Sequence, residues 1–195
     1  MDHSPQPSRR KRSASRPLDS DGLRDLAMRY VARYATTSGK LRRYLARKVG
    51  ERDWEGKSAP DIDGLVASFE ERGFVDDAGW AEARASALTA RGYGTRRIGE
   101  DLRAAGIDAE IREENVPGER EARDAAVRLA RRRRFGPFGR SLVGEDGLKR
   151  RDRQLAAMAR AGHDFAKARR VVEAESEADL ANWMDEAEDE GQDYR

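Results

Sequence analysis

Apolar positions recur along this chain at the three- and four-residue spacing of helices. Between residues 21 and 35, Leu23, Leu26, Ala27, Tyr30, Val31 and Tyr34 form one stripe. Thr36-Thr37-Ser38-Gly39 interrupts it, and Ser38 is the expected cap of a second helix with Leu41, Tyr44, Leu45 and Val49 inward, closed by Gly50. After a loop over 51–57, Ser58 is expected to cap a third helix with Pro60 in its first turn, where a missing N–H does no harm. Ile62, Leu65, Val66 and Phe69 are its stripe, and Gly73 stops it.

The same plan then recurs. Asp76-Asp77 opens a long helix that carries Trp80 and runs to Arg91, and Gly92-Tyr93-Gly94 breaks it. Thr95 is the expected cap of a short basic helix with Ile98, Leu102 and Ala105 on one side; a third spans 108–116 and ends before Pro117-Gly118. Residues 119–134 are again a long helix, with Ala122, Ala126, Leu129 and Ala130 inward. A loop over 135–147 leads to a helix bearing Leu155, Met158 and Ala159, ended by Gly162, and Phe165, Ala168 and Val172 mark a last short one. Gly50, Gly106 and Gly162 fall 56 residues apart, each expected to close the middle helix of its unit.

This pattern predicts an all-α fold: an elongated array of three tandem three-helix repeats over 21–75, 76–117 and 118–174. Residues 1–20, with Pro5, Pro7, Pro17 and the cluster Arg9-Arg10-Lys11-Arg12, read as a disordered basic tail. Residues 175–195 read as an acidic tail in which Ser176 is placed to cap a short helix. Its Leu180, Trp183, Met184 and Ala187 would dock over the last repeat.

Composition sharpens this picture. Hydrophobic residues make up 37% and charged residues 39%, so any core is thin and stacked helices suit it. The net charge of +2 hides a segregation: residues 173–195 hold ten acids and one arginine, a net of −9, which leaves +11 on the remainder. A basic body of that kind points to a polyanionic partner. Zero cysteines excludes disulfides, thiol catalysis and Cys-ligated zinc. No apolar run approaches membrane-span length and no signal peptide opens the chain, so a cytoplasmic protein without membrane contact is expected.

Catalytic constellations are scarce. His3 lies in the tail, and His163 has no second histidine with which to hold a metal. Helix capping accounts for Asp76-Asp77, a solvated face for Glu100-Asp101, and Gly92-Tyr93-Gly94 lacks the lysine and strand of a phosphate loop. No enzyme, cofactor or metal site is expected. What does recur is positive charge on the middle helices: Arg42, Arg43, Arg47 and Lys48 with Lys40, then Arg96, Arg97 and Arg103, then Lys149, Arg150, Arg151 and Arg153. Arginine offers a planar donor fork suited to phosphates or carboxylates. A single run is most simply a solvated face; three at equivalent places suit a filament or groove. Arg131-Arg132-Arg133-Arg134 instead points around its helix and suits that helix's C-terminus.

The order Gly73-Phe74-Val75-Asp76-Asp77, Trp80-Ala81, Arg91-Gly92-Tyr93-Gly94, Arg96-Arg97-Ile98, Leu102 and Gly106-Ile107 resembles the signature of the RecX family. Leu155 through Gly162-His163-Asp164-Phe165 resembles the end of such proteins, and the likeness spans Leu23 to Ala174. Trp80 stands where Phe or Tyr is expected, and the 135–147 loop is longer than expected. The resemblance implies tandem three-helix repeats and a non-enzymatic, monomeric regulator of the RecA recombinase. Such a protein lies along the groove of the RecA–single-stranded DNA filament and restrains strand exchange and ATP turnover in recombination, DNA repair and the SOS response. Single-stranded DNA, or double-stranded DNA, would be met through its phosphates, first by Arg96 and Arg97 and then by the other basic residues named above. The rival reading is a stand-alone helix-turn-helix-like DNA-binding protein acting as a transcription regulator. Against it stand the lack of an evident dimer seam and of Asn and Gln placed to read bases.

Overall fold

Asp19, Thr37 and Asp61 each turn a side-chain oxygen back onto an N–H three residues ahead, at Gly22, Lys40 and Gly64, with bonds of 2.8, 3.1 and 2.8 Å. These caps start α1 (Ser20–Val31), α2 (Ser38–Gly50) and α3 (Ile62–Glu71). The structure, a computed structural model, describes residues 17–140 and 144–189, and it divides between Val75 and Asp76 into two units. The predicted disordered segment up to residue 16, with its Arg9–Arg12 cluster, lies outside the described residues.

In the first unit, α2 is the middle layer, packed against both α1 and α3. Leu41 and Leu45 from α2 are fully buried among Leu23, Ala27, Val66, Phe69 and Val75. Burying each leucine contributes about 1.5–3 kcal/mol. Leu18 belongs to this core at 2% exposure, so the predicted tail ending at residue 20 runs three residues too far. Its N–H donates to the Asp53 carbonyl and its own carbonyl accepts from Glu55, a single bridge beside Trp54. The third helix begins at Ile62, not near Ser58, because the Trp54 indole N–H takes the Ser58 carbonyl at 2.7 Å and Asp61 supplies the cap. Likewise Thr37, not Ser38, caps α2.

The second unit runs α4 (Asp77–Ala90), α5 (Thr95–Ala105), α6 (Ala109–Glu114), α7 (Glu119–Arg133), a 3-10 turn at Gly136–Phe138, α8 (Glu145–Arg160), α9 (Phe165–Val172) and α10 (Glu177–Asp189). No strand occurs among the described residues, which agrees with the all-α reading. Two apolar clusters fill it. Ala81, Ala85 and Leu88 meet Ile98, Leu102, Ala105 and Ile107; Ala126, Leu129 and Ala130 meet Met158, Val171, Val172 and Leu180. Tyr93 packs on both clusters. A bidentate pair, Arg84 to Asp101 at 2.6 and 2.9 Å, clamps α4 to α5, and that carboxylate holds the guanidinium's pKa above its ordinary value.

The helix predicted in the acidic tail is present as α10, with the Ser176 hydroxyl accepting from Asp179 N–H at 3.1 Å. Its Leu180 is fully buried and Trp183 and Met184 pack on the same core. Four arginines hold it down. Arg120 donates to the Met184 carbonyl, Arg123 to the Trp183 carbonyl at 2.7 Å, Arg170 forks Asp179 at 2.6 and 2.8 Å, and Arg131 reaches Glu177 at 3.2 Å. Arg123 is 7% exposed and lies over the Trp183 ring. No described helix is long and apolar enough to cross a membrane.

The buried position of Leu18 gives a direct check. Leu18→Ala should lower the unfolding free energy of the first unit by about 2–4 kcal/mol in urea unfolding followed by circular dichroism. A residue of a disordered tail would show no such loss.

Candidate functional site

The basic helices expected from the sequence are α2, α5 and α8, and the structure fixes how each cation is held. On α2, Arg42 pairs with Asp63 of α3 at 2.6 Å, while Lys48 and Arg47 approach Glu51 at 2.7 and 3.7 Å. The Glu51 carboxyl lies below its ordinary pKa because Lys48 hydrogen-bonds it. Arg43 is exposed on the same helix. Arg47 and Lys48 also sit 5.7 and 5.9 Å from the centre of the Tyr44 ring. Tyr44 stacks on Tyr30 at 4.2 Å, and Tyr30 meets Tyr34 at 5.2 Å.

In the second unit α5 and α8 meet end to end. The Gly94 and Arg96 N–H groups donate to the Ala161 and Gly162 carbonyls, at 2.9 and 3.2 Å. The orphan donors at the start of α5 therefore satisfy the orphan acceptors at the end of α8. Gly94 is the N-cap and Thr95 the first helical residue, so the expected Thr95 cap is replaced by these backbone bonds. Close approach demands glycine on both sides. A Cβ on Gly94 would collide with the Gly162 carbonyl and the His163 nitrogen, and one on Gly162, whose φ is +96°, with the backbone of Arg97. Gly106 likewise ends α5 at φ +85°, but Gly50 is the last residue of α2, with no positive φ and open space around it. The equal spacing of the three glycines thus joins two similar positions to a dissimilar one.

Arg96 donates to the Ala159 carbonyl near the end of α8, and both Arg96 and Arg97 lie 3.7 Å from Glu100. Their side chains are 62% and 52% exposed. Further along α8, Lys149 pairs with Glu145 at 2.8 Å and Arg151 with Glu173, while Arg150 is half-buried. Arg103 and Arg153 are exposed and have no ion pair among the described residues. Exposed pairs of this kind contribute about 0–1 kcal/mol, so a phosphate can take over these cations at small cost.

The junction also contains a buried imidazole. His163 is 4% exposed; its Nε2 lies 3.1 Å from the Gly92 carbonyl, and its Nδ1 has no hydrogen-bond partner among the described residues. Burial pushes its pKa below the ordinary value, outweighing the Gly92 carbonyl and Asp164, so the ring is neutral with Nε2 donating. Nearby, Lys167 joins Glu119 at 2.9 Å and Asp164 at 3.0 Å. Burial opposes the charge on both carboxylates, yet Lys167, joined at Glu119 by Arg123, outweighs it and holds both below their ordinary range.

Sequence reasoning missed several polar residues that organise these sites. Arg123, Gln154 and His163 turn inward, with Gln154 accepting from the Gly136 N–H at 2.9 Å. Gln154, Arg123 and His163 meet Gly136, Trp183 and Gly92 across 18, 60 and 71 residues of chain, and Arg123 alone also has a near neighbour in sequence, Glu119. Tyr30, Tyr34 and Tyr44 read as stripe residues; only the interleaved Arg29, Arg33 and Arg47 hint at another use.

No family model matches the chain. Over 178 residues it is 35% identical to the regulatory protein RecX of Myxococcus xanthus, covering 85% of this chain and 92% of that one. The regulatory protein RecX of Cronobacter sakazakii is 32% identical over 114 residues, 54% of this chain and 69% of its own. That of Halorhodospira halophila is 31% identical over 117 residues, 60% and 68% respectively. Among solved structures, RecX from Lactobacillus salivarius has the same fold, with a TM-score of 0.58 at 13% identity, over 85% of this chain and 96% of that one.

Two measurements probe the junction. Gly94→Ala should destabilise the second unit by about 2 kcal/mol or more through steric strain. Gly99→Ala, in the same helix with open space around it, should stabilise by about 0.5–1 kcal/mol. Denaturant unfolding of both variants reads the contrast. For His163, the unfolded chain takes up a proton near pH 6.5 and the folded chain only at lower pH, so stability should fall as pH drops below about 6.5. Asp164 and Glu119 add their own loss only at more acid pH, and Lys167 stays charged throughout. Melting temperatures from pH 8 to pH 5 should slope in the parent and flatten in His163→Gln.

Proposed function

The chain belongs to the RecX family, and on that premise we propose that it is a non-enzymatic regulator of the RecA recombinase. It binds as a monomer in the cytoplasm along the groove of the RecA–single-stranded DNA filament and restrains strand exchange and ATP turnover. The observation that carries this reading is the likeness to the Myxococcus xanthus regulatory protein RecX across nearly the full length of both chains. The exposed cations of α2, α5 and α8 support it, because weakly held arginines can exchange a surface carboxylate for a DNA phosphate or an acidic patch on a recombinase subunit.

In this reading α1–α3, α4–α6 and α7–α9 are three copies of one unit, with boundaries at 21–75, 76–117 and 118–174. Each copy presents its middle helix to the filament: Arg42, Arg43, Arg47 and Lys48, then Arg96, Arg97 and Arg103, then Lys149, Arg150, Arg151 and Arg153. Occupying the groove blocks an incoming duplex and resists the subunit movements that accompany nucleotide turnover. Bound phosphates are met by these side chains; at the start of α5 the Gly94 and Arg96 N–H groups are already used by the Ala161 and Gly162 carbonyls.

The test is the single-stranded-DNA-dependent ATPase of a RecA-type recombinase with and without the protein. Reversal of Arg96 is a poor probe by itself, because its guanidinium also helps to hold the α5–α8 junction. Arg103→Glu with Arg153→Glu changes two exposed cations that have no ion pair among the described residues. The double variant should inhibit the ATPase less while its stability moves by no more than about 0.5 kcal/mol. Inhibition equal to the parent's would remove both residues from the interface. Strong, sequence-dependent binding to bare duplex would favour the helix-turn-helix reading.

A further inference from the structure

Three of the chain's five tyrosines converge in the first unit. Tyr30 and Tyr44 stack nearly parallel, 16° apart, and both pack on the core, which makes them a rigid backing. Tyr34, in the turn just after α1, leans on Tyr30 and is half exposed; its N–H is tied to the Tyr30 carbonyl at 3.0 Å. Arg33 lies 5.6 Å from the Tyr34 ring centre and Arg47 5.7 Å from that of Tyr44. These rings and arginines, together with Arg29, line one open groove, and no carboxylate stands among its lining residues. The groove between α4 and α7 is its opposite, lined by Glu82, Glu114, Glu121 and Asp124.

Two properties select the occupant. The row of guanidinium groups favours a polyanion. An accessible aromatic face, set on a stacked pair that cannot collapse, offers a flat apolar surface that duplex DNA cannot use, because its bases are already stacked on one another. We infer that the Tyr30–Tyr34–Tyr44 groove is a stacking site for unpaired bases of single-stranded nucleic acid, with Tyr34 as the platform and Arg29, Arg33 and Arg47 on the flanking phosphates. This deepens the filament reading and rests on it for biological setting, since it gives the first unit a means to tell an unpaired strand from a duplex. Base–aromatic stacking is tolerant of sequence, as a filament-coating partner requires.

The experiment titrates the full chain against a labelled oligothymidylate, an abasic strand and a blunt duplex of equal length, at several salt concentrations. Tyr34→Ala should weaken single-strand binding about tenfold, leave duplex binding unchanged and keep the salt dependence, because a ring and not a charge is lost. Tyr34→Phe should restore binding, and the parent should bind the abasic strand about as weakly as the Ala variant binds the normal one. Circular dichroism confirms that each variant folds. Parent-like single-strand binding by Tyr34→Ala, or an equal loss on strand and duplex, overturns the assignment. The recombinase ATPase assay separates this from the broader reading. Inhibition retained alongside a failed strand test rejects only the stacking site, and a passed strand test without inhibition rejects only the filament role.

Discussion

The second unit depends on one backbone handshake: the carbonyls that end α8 accept from the N–H groups that begin α5. Each helix end would otherwise leave polar groups to be satisfied by water or by capping side chains. Bringing two main chains this close leaves no room for a Cβ at Gly94 or Gly162, so the glycines follow from the contact and not from the turns alone. The Arg96 guanidinium and the His163 ring then close the same junction from either side, the first onto the Ala159 carbonyl and the second onto that of Gly92. Two of the donors at the start of α5 are thereby spent on protein.

The arginines fall into two populations that composition cannot separate. Arg84, Arg120, Arg123 and Arg170 are partly or wholly withdrawn from solvent, fork carboxylates or backbone carbonyls, and act as struts between helices. Arg47 and Arg97 are more than half exposed with acidic neighbours at 3.7 Å, while Arg42 and Arg96 are exposed but also tied, to Asp63 and to the Ala159 carbonyl. Struts contribute to stability through geometry, and surface cations contribute to encounter and binding. The strong charge segregation of the sequence is thus partly consumed inside the molecule, where the acids of α10 meet the struts of α7 and α9.

Much of the fold was legible from periodicity, because a stripe such as Leu23, Leu26, Ala27 and Tyr30 has only one regular structure that puts it on one side. Helix starts were less so. Thr37 and Ser38 are adjacent and chemically equivalent as caps, and Thr95 follows a glycine whose bonds come from 67 residues away. Leu18 reads as tail because Pro17 and the serines around it outweigh one leucine locally; its backbone partners lie at Asp53 and Glu55. The basic helices were visible as composition, but which of their arginines are struts and which are exposed depends on contacts between distant segments. The tyrosine groove was hidden for a related reason, since a stripe residue and a ring exposed at a stripe's edge look alike in one dimension.

Helix α10 sets a constraint on how the chain can mature. Leu180 is a fully buried member of the core built by α7, α8 and α9, and Arg123 donates to the Trp183 carbonyl of α10 as well as to Glu119 of its own helix. During synthesis that core stays open on one side until the residues around Leu180 have left the ribosome exit tunnel. A chain cut short before that point would leave the apolar faces of Met158, Val171 and Val172 without their Leu180 cover, and Arg170 without Asp179. The acidic helix is thus the last-made wall of the core, and that core closes only once it has docked.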